Sequence, residues 1–235
     1  MKSRILMAVG VLCLCSAVAV ASEKPSVGVA DFTNDTAAGW WYGGAGRDLS
    51  GMLANELSAT DKFRVVERSK LAPVLEEQDL GASGRVSKSS AAKVGKLTGA
   101  RYLVMGTVSS FQENVAGGGG GFSFRGVHLG GKKQDAYIAV DLRVVDTTTG
   151  EVMYTRTVEA RSESHGINVG LYRGGFGGDL AKHENTPAGK AIRACLIEIS
   201  DYLSCVMVDK DSCIEEYKAK DSSRREKDKK AIKIE

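Results

Sequence analysis

Two glycine-rich stretches flank a pair of alternating apolar and polar runs, and this symmetry limits how the chain can fold. The two runs lie within 134–160 and are joined by the turn Asp-Thr-Thr-Thr-Gly at 146–150. The glycine-rich stretches cover 115–131 on one side and 164–178 on the other. Glycine breaks helices and has no side chain to fill a core, so neither stretch is an ordinary packing element. The pattern predicts two long β-hairpins next to each other on one domain.

The segment 1–21 has the three parts of a secretory signal peptide. Two basic residues precede an apolar run over 5–20, and Ala19-Val-Ala21 supplies the small residues of a cleavage site. Lipidation at Cys13 or Cys15 is the alternative, but each follows a leucine where lipoprotein processing requires a small residue. We expect export with cleavage after Ala21. We expect no transmembrane helix in the remaining chain, because it has no other apolar run of about 18 residues.

After cleavage, the chain has about 214 residues, which suits one domain with an ample core. The formal net charge is +3, and it falls to +1 when Lys2 and Arg4 are removed. A nearly neutral chain without a basic cluster argues against nucleic acid as a partner. We expect Cys195, on a helical apolar stripe, to be a small buried hydrophobic residue. Cys205 and Cys213 could form a disulfide, but the sequence does not determine this pairing.

The predicted elements indicate an α+β fold, in which a mixed sheet carries helices on one side and two extended, glycine-rich hairpins. The first part of the chain predicts a strand at 26–32, a helix at 46–58, a strand at 63–67, a helix capped by Ser69 and an alanine-rich helix at 89–97. Strands at 101–108, 138–144 and 151–159 follow.

The final helix has the clearest signals in the chain. Thr186 is its predicted N-cap and Pro187 its first residue, and an apolar stripe follows at helical spacing. The stripe consists of Ala191, Ile192, Cys195, Leu196, Ile199, Leu203 and Val206. We therefore divide the chain into the signal peptide, a domain over 22–208 with hairpin insertions at about 109–137 and 157–180, and a charged tail over 209–235 that is either a solvated helix or disordered.

The sequence does not indicate an enzyme, a cofactor or a metal site. The segment Gly126–Lys133 resembles a phosphate-binding loop, but no serine or threonine and no helix follow its lysine pair. Gly44-Ala-Gly46 lacks the third glycine of a dinucleotide fingerprint and fits a helix-initiating turn better. His128, His165 and His183 do not have metal-ligand spacing. We therefore assign no catalytic, cofactor-binding or metal-binding residue.

Both hairpins contain the alternation that a transmembrane β-strand requires, apolar outside and polar inside over about 9–11 residues. The lipid-facing candidates are Phe122, Phe124, Ile167, Val169 and Leu171, and the lumen-facing candidates are Ser123, Arg125, Asn168 and Tyr172. Four strands cannot close a barrel, and lipid does not tolerate open strand edges, so closure would require a ring of subunits. The alternative is a pair of soluble hairpins that pack on each other or on a partner. The residues alone do not decide between these two readings.

Four blocks of sequence, in one order and spacing, carry a resemblance to a known family. The most specific block is 138–145 with the turn Thr149-Gly-Glu151 that follows it. The others lie at 63–68, 104–107 and 185–196, so the set covers nearly the whole mature chain. In these blocks the sequence resembles the CsgG family (CsgG/HfaB), the outer-membrane secretion channels of the curli system.

The resemblance implies that two hairpins per subunit join one large barrel above a periplasmic α+β domain. It also implies that the loop after the first strand narrows the passage, and Trp40, Trp41 and Tyr42 fall in this loop here. Aromatic anchoring of the loop to the domain is the alternative role for these three residues. The implied partners are further copies of the chain in a ring, a secreted unfolded polypeptide, periplasmic accessory proteins and the outer membrane.

Two functions follow from this reading, neither of them enzymatic. The first is a subunit of an oligomeric outer-membrane channel that exports unfolded polypeptide. The second is a soluble periplasmic interaction module that keeps the CsgG-like domain, forms no pore and assists envelope or surface-fibre assembly. Both place the exported protein in the periplasm or at the outer membrane.

The signal peptide leads to a prediction about the mature N-terminus. Because Ala19-Val-Ala21 fits signal peptidase, the processed protein should begin at Ser22 and carry no lipid. Intact-mass measurement of the exported protein checks this expectation. An acylated cysteine at the N-terminus would contradict it.

Overall fold

A mixed sheet forms the centre of the domain. The computed structural model describes residues 23–95, 97–116, 122–124, 127–129, 133–163 and 186–232. In chain order the elements are β1 (Ser26–Val29), β2 (Thr33–Asn34), α1 (Ala45–Ala59), β3 (Arg64–Val66), α2 (Leu71–Ala82), β4 (Tyr102–Ala116), β5 (Phe122–Phe124), β6 (Val127–Leu129), β7 (Lys133–Asp146), β8 (Val152–Glu163), α3 (Pro187–Ser204) and α4 (Cys213–Ala231).

The strand order in the main sheet is β3-β1-β4-β7-β8, and β2 pairs with β4 outside this path. β1 is parallel to both β3 and β4, since helices connect these strands, whereas β4, β7 and β8 are antiparallel. The register aligns Val29 with Val104, Val144 and Tyr154 across the sheet. The predicted mixed sheet of an α+β fold is therefore confirmed.

The core lies between one face of this sheet and the helices α1 and α3. Alternate residues of β7 are buried on that face, whereas Asp141 and Arg143 between them are exposed, as the alternation predicted. The buried residues of β7 on this face are Ala136, Ile138, Val140, Leu142 and Val144. α3 packs on β7 and β8, and α1 packs on β1, β3 and α3. Burial of these apolar side chains provides the main driving force for folding the domain.

α3 begins and packs as its sequence predicts. The Thr186 hydroxyl oxygen accepts a hydrogen bond from the Gly189 N–H at 3.1 Å, and Pro187 is the first helical residue. Ile192, Leu196 and Ile199 are all buried. Cys195 is buried too, as expected, and burial raises the pKa of its thiol to about 12. None of the described helices is both long and apolar enough to span a lipid bilayer.

α3 continues into a π-helical turn at Cys205–Asp209, and a helical hairpin follows. Lys210 adopts a left-handed conformation with φ of 52°, and its N–H donates to the Cys205 carbonyl at 2.8 Å, which ends the turn. Cys205 and Cys213 form a disulfide that links this turn to α4. The segment predicted as a charged tail is thus largely helical, one of its two alternatives, and its first half contacts the domain.

The predicted helix at 89–97 is wrong, because the described residues of this segment form turns and irregular backbone. Ser90 and Ala91 donate backbone hydrogen bonds to the Ser87 carbonyl at 3.0 Å, which makes an isolated turn. Val94 is 58% exposed, so no core contact compensates for the cost of starting a short helix. Gly95 has a φ of 75°, which interrupts a right-handed helix.

The predicted capping of α2 by Ser69 is also wrong. The Ser69 hydroxyl donates to the Asp31 carboxylate at 2.7 Å instead of accepting from the helix. The Glu67 carboxylate accepts the backbone N–H groups of Ser69 and Lys70 at 2.8 and 2.9 Å. A hydrogen bond to an ionised carboxylate is stronger than one to a neutral group, and such an acceptor is available here from a distant strand end. The local sequence does not reveal it.

The packing of α3 leads to a stability prediction. Leu196 is 2% exposed within the core, so Leu196→Ala should lower the free energy of unfolding by about 2–5 kcal/mol through lost burial and a cavity. Lys190→Ala, on the exposed side of the same helix, is the control and should change it by less than about 0.5 kcal/mol. Denaturant unfolding followed by circular dichroism measures both. Equal effects of the two variants would show that α3 is not packed as described.

Candidate functional site

The loop between β1 and α1 lies at the base of the first hairpin. Within it, β2 pairs with β4 in parallel, and Thr33 is opposite Thr107, with their hydroxyl oxygens 2.8 Å apart. The Asp35 N–H donates to the Val108 carbonyl at 3.0 Å. The β4–β7 register shifts between Val108 and Ser110, which introduces a bulge beside the loop. The loop is therefore attached where β4 leaves the core and continues toward the hairpin tip.

Hydrogen bonds of Asn34 and Thr36 shape the tip of this loop. The Asn34 side-chain oxygen Oδ1 accepts from the Thr36 N–H at 3.0 Å and from the Thr36 hydroxyl at 2.7 Å. The Thr36 hydroxyl oxygen also accepts from the Ala38 N–H at 3.2 Å. These bonds satisfy backbone groups that would otherwise need water. Asp35, Ala37 and Gly39 are the exposed positions of the tip.

The three predicted constriction residues have different environments. Trp40 is 6% exposed and packs edge-on against Trp41 and Phe111, with ring centroids 5.5 and 5.6 Å apart. Trp41 and Tyr42 are half-buried, and the Tyr42 hydroxyl donates to the Asp48 carboxylate in the first turn of α1. Trp40 thus anchors the loop to the domain, which was the alternative role for these aromatic residues. A contribution of Trp40, Trp41 and Tyr42 to a passage stays a prediction.

Two glycines allow the loop to pass close to α1 and β4. A Cβ atom at Gly46 would lie 2.2 Å from the Phe32 carbonyl oxygen, and one at Gly106 would lie 2.3 Å from the Phe32 ring. Both distances are far below van der Waals contact, so neither position accepts a side chain without movement of the backbone or the ring. Gly44 is the N-cap of α1 and Gly46 lies in its first turn, so the Gly44-Ala-Gly46 segment begins this helix, as predicted.

The sequence pattern does not reveal two residues of this site. Phe111 lies in the segment predicted as the first hairpin insertion and is not singled out there, although it is the ring that receives Trp40. Asn34 is not singled out by the sequence pattern, although its side chain organises the turn. The Asn-x-Thr spacing is a signal for such a side-chain turn, whereas the partner of Trp40 depends on the register of strands far apart in the chain.

β4, β7 and β8 all extend past the core at the same end of the sheet, toward the segments predicted to form the two hairpins. β4 and β7 remain paired out to Ala116 and Lys133, and β7 and β8 are paired out to Asp135 and Glu163. Strands of 15, 14 and 12 residues are long for a domain of this size. Beyond the first ribbon, β5 and β6 pair in antiparallel fashion, with Phe122 opposite Leu129, Ser123 opposite His128 and Phe124 opposite Val127.

Most of the residues predicted to face lipid or lumen lie outside the described residues. These are Arg125, Ile167, Asn168, Val169, Leu171 and Tyr172. The backbone positions of Phe122, Ser123 and Phe124 are described, and they lie in a strand as the alternation requires. Their facing toward lipid or lumen stays a prediction.

The far end of the sheet is stabilised by a buried carboxylate. The Asp146 side chain is 6% exposed and accepts hydrogen bonds from the Arg101 guanidinium at 2.9 Å and from the Thr148 N–H at 2.8 Å. The hydrogen bond from Arg101, followed by that from Thr148, holds the pKa of Asp146 below its ordinary value. Gly150 closes the turn with a φ of 74°. The most specific of the four sequence blocks thus ends in a structural turn.

One group of potential metal ligands occurs in the described part of the chain. Cys205, Asp211 and Cys213 bring one ligand atom each within 4.8 Å of one another. The two sulfurs are bonded to each other, so neither is available as a thiolate ligand. The two cysteines therefore act as a covalent link between the turn that follows α3 and the start of α4.

The sequence matches a known protein family. The model of the family "Curli production assembly/transport component CsgG" matches residues 12–232. The CsgG protein of Escherichia coli K12 is 28% identical over 131 residues, which cover 54% of this chain and 47% of that protein. A putative lipoprotein of Neisseria meningitidis serogroup B is 32% identical over 110 residues, which cover 47% and 44% of the two chains. The chain thus spans about half the length of the curated relatives it matches.

Among solved structures, a hypothetical protein from Chlamydia trachomatis aligns with a TM-score of 0.46 and 15% identity. The alignment covers 79% of this chain and 99% of that one. The family match, in contrast, extends over nearly the whole sequence and includes every element from β1 to α4. The chain belongs to the CsgG family.

Proposed function

We propose that this protein is a subunit of an oligomeric outer-membrane channel that exports unfolded polypeptide, as in curli-type secretion. The observation that supports this function most strongly is the shared direction of the hairpin strands in a CsgG-family domain. β4, β7 and β8 all continue past the core at one end of the sheet. A domain needs this arrangement to insert two hairpins side by side into one barrel wall.

Barrel closure would come from assembly. Two hairpins give four strands per subunit, and a transmembrane sheet must close because lipid cannot hydrogen-bond its edges. A ring of identical subunits would supply the remaining strands. The face of β7 and β8 that points away from α3 offers a surface for a neighbouring subunit, since Asp141, Arg143, Met153 and Thr155 are exposed there. Such a mixture of polar and apolar groups is typical of protein–protein interfaces.

The loop between β1 and α1 would border the passage. Trp40 and Phe111 hold it to the base of the first hairpin, and Trp41 and Tyr42 remain half-exposed. Exposed aromatic and small polar groups contact an extended chain without requiring a particular sequence. The proposed transport therefore needs no covalent step, no cofactor and no catalytic residue.

The second candidate is the periplasmic interaction module without a pore. One observation favours it: Gln112, Glu113 and Arg161 are exposed on the strands that lead into the hairpins. Charged groups on these strands suit water or a protein partner better than lipid. In the channel reading, the same residues would lie in the periplasmic vestibule below the membrane. Both candidates place the protein in the cell envelope.

The alternation in the second hairpin leads to a test of the channel. Val169→Arg should abolish membrane assembly, because arginine on the lipid face near the bilayer midplane costs roughly 2–4 kcal/mol in each subunit. Asn168→Arg, the matched control on the neighbouring position, should assemble and change the conductance instead. Membrane fractionation and planar-bilayer recording measure the two outcomes. If both variants behave like the parent, the channel is wrong and the module without a pore takes its place.

The aromatic loop leads to a second test, which separates anchoring from passage. Trp40→Ala should destabilise the domain by about 3–5 kcal/mol, because a buried indole is lost beside Phe111. Trp41→Ala removes the same side chain from a half-buried position, so it should lower the free energy of unfolding clearly less than Trp40→Ala does. It should instead alter export of the polypeptide. Denaturant unfolding and an export assay of the full chain measure these effects. Equal destabilisation by the two variants would contradict the division of roles within the loop.

A further inference from the structure

α4 runs antiparallel to α3, and two contacts set their relative positions. The rings of Tyr217 and Tyr202 meet edge-on with centroids 5.2 Å apart, and Lys220 forms an ion pair with Glu198 at 3.4 Å. From Tyr217 to Lys220 the chain advances three residues along α4, while the contacted residue in α3 moves back by four, from Tyr202 to Glu198. Because both helices rise about 1.5 Å per residue, the end of α4 reaches the level of the first turn of α3.

The first turn of α3 lies at the end of the sheet from which the hairpins extend. The Ser162 hydroxyl donates to the Pro187 carbonyl at 2.5 Å, and Ser162 is opposite Ala136 near the end of the β7–β8 pairing. α3 therefore starts beside the hairpin bases and runs away from them. α4 returns toward them, so its C-terminal residues lie at the hairpin end of the domain.

A buried arginine holds α4 in this position. Arg156 of β8 is 7% exposed, and its guanidinium lies 5.0 Å from the Tyr202 ring centroid and 4.5 Å from that of Tyr217. Its third contact is an ion pair with Asp221 at 3.4 Å. Burial raises the pKa of Tyr217 to about 12, so its phenol stays neutral beside the arginine. The disulfide between Cys205 and Cys213 holds the start of α4, and together these contacts fix its direction.

Beyond Arg224, α4 no longer packs on the domain. Its inward positions are half-buried up to that residue, and all positions from 225 to 230 are exposed. The exposed stretch has four cations against two carboxylates, and Asp228 is already paired with Arg224 at 3.8 Å. Within the described residues, Lys227, Lys229 and Lys230 form no ion pair. The stretch lacks apolar residues, so it cannot bury a face against another protein core.

We propose that this basic end of α4, residues 225–230, binds anionic phospholipid headgroups beside the hairpin bases. The proposal rests on the proposed function, because insertion of the hairpins would bring this end of the domain to the bilayer. Each lysine or arginine near an anionic surface strengthens binding by about fivefold, and the attraction falls off within a Debye length of roughly 10 Å at 0.1 M salt. These charges can therefore attract anionic lipid because they lie at the end of the domain that would face the membrane.

The test compares two triple variants with the same change in charge. Lys227→Gln/Lys229→Gln/Lys230→Gln removes the cations at the hairpin end and keeps good helix formers. Lys88→Gln/Lys93→Gln/Lys218→Gln removes exposed cations elsewhere and is the control. Both are made in the full chain with Val169→Arg, which should block hairpin insertion, so that surface attachment is measured alone. Flotation uses vesicles of phosphatidylcholine and of its equimolar mixture with phosphatidylglycerol.

The first triple variant should bind the anionic vesicles on the order of 100-fold less tightly than its Val169→Arg parent at ~0.1 M salt. The control triple variant should bind the anionic vesicles as tightly as that parent. The difference in binding between the two triple variants should vanish at ~1 M salt and should be absent on vesicles of phosphatidylcholine alone. Equal flotation of all three chains on anionic vesicles, or an equal loss in both triple variants, would overturn the proposal. Resistance of the unmodified chain to alkaline extraction tests hairpin insertion separately, so failure of the channel and failure of lipid binding remain distinguishable.

Discussion

The antiparallel pairing of β7 with β4 and β8 is the interaction on which the rest of the structure depends. A ladder of backbone hydrogen bonds, shifted by the bulge after Val108, runs from the turn after Asp146 to Ala116 and Lys133 on one side and to Asp135 and Glu163 on the other. Within the core, this ladder presents alternate apolar residues to α3; beyond the core, it carries the hairpin strands outward. A slip of one residue in the register would turn the buried face outward along the whole ribbon, so packing of the domain also sets which way the side chains of β4, β7 and β8 point where these strands leave the core.

The loop between β1 and α1 depends on the same ladder. Trp40 is held by Phe111, and Phe111 lies on β4 just past the bulge that follows Val108. The bulge changes which side of β4 faces the core, and it does so at the point where the strand becomes a hairpin arm. The bulge therefore affects both the position of the aromatic loop and the direction in which β4 leaves the core. In a ring of subunits this coupling would place every copy of the loop at the same distance from the membrane.

Much of the fold could be predicted from the sequence, because its strongest signals are local. The alternation of β7, the N-cap and proline of α3, and its apolar stripe each require only neighbouring residues, and all are confirmed. The wrong predictions concern residues whose conformation depends on contacts with distant parts of the chain. The segment 89–97 has helical spacing, but its large apolar side chains Val94 and Leu97 stay exposed, and Ser69 bonds to Asp31 instead of capping α2. At the candidate site, the sequence predicts an aromatic loop after the first strand. The burial of Trp40 depends on its contact with Phe111 of β4, which the local sequence does not reveal.

The C-terminal segment shows why composition alone underestimates a helix. Its many charges indicated a solvated tail, yet Tyr217 and Asp221 of this segment surround Arg156, a charged residue on a strand face that is otherwise apolar. A buried guanidinium without such partners would cost several kcal/mol. Arg156 therefore requires α4, and α4 requires the turn closed by Cys205 and Cys213 to return along α3. Beyond Arg224 every charge of α4 up to Lys230 is exposed, at the end of the domain from which β4, β7 and β8 extend.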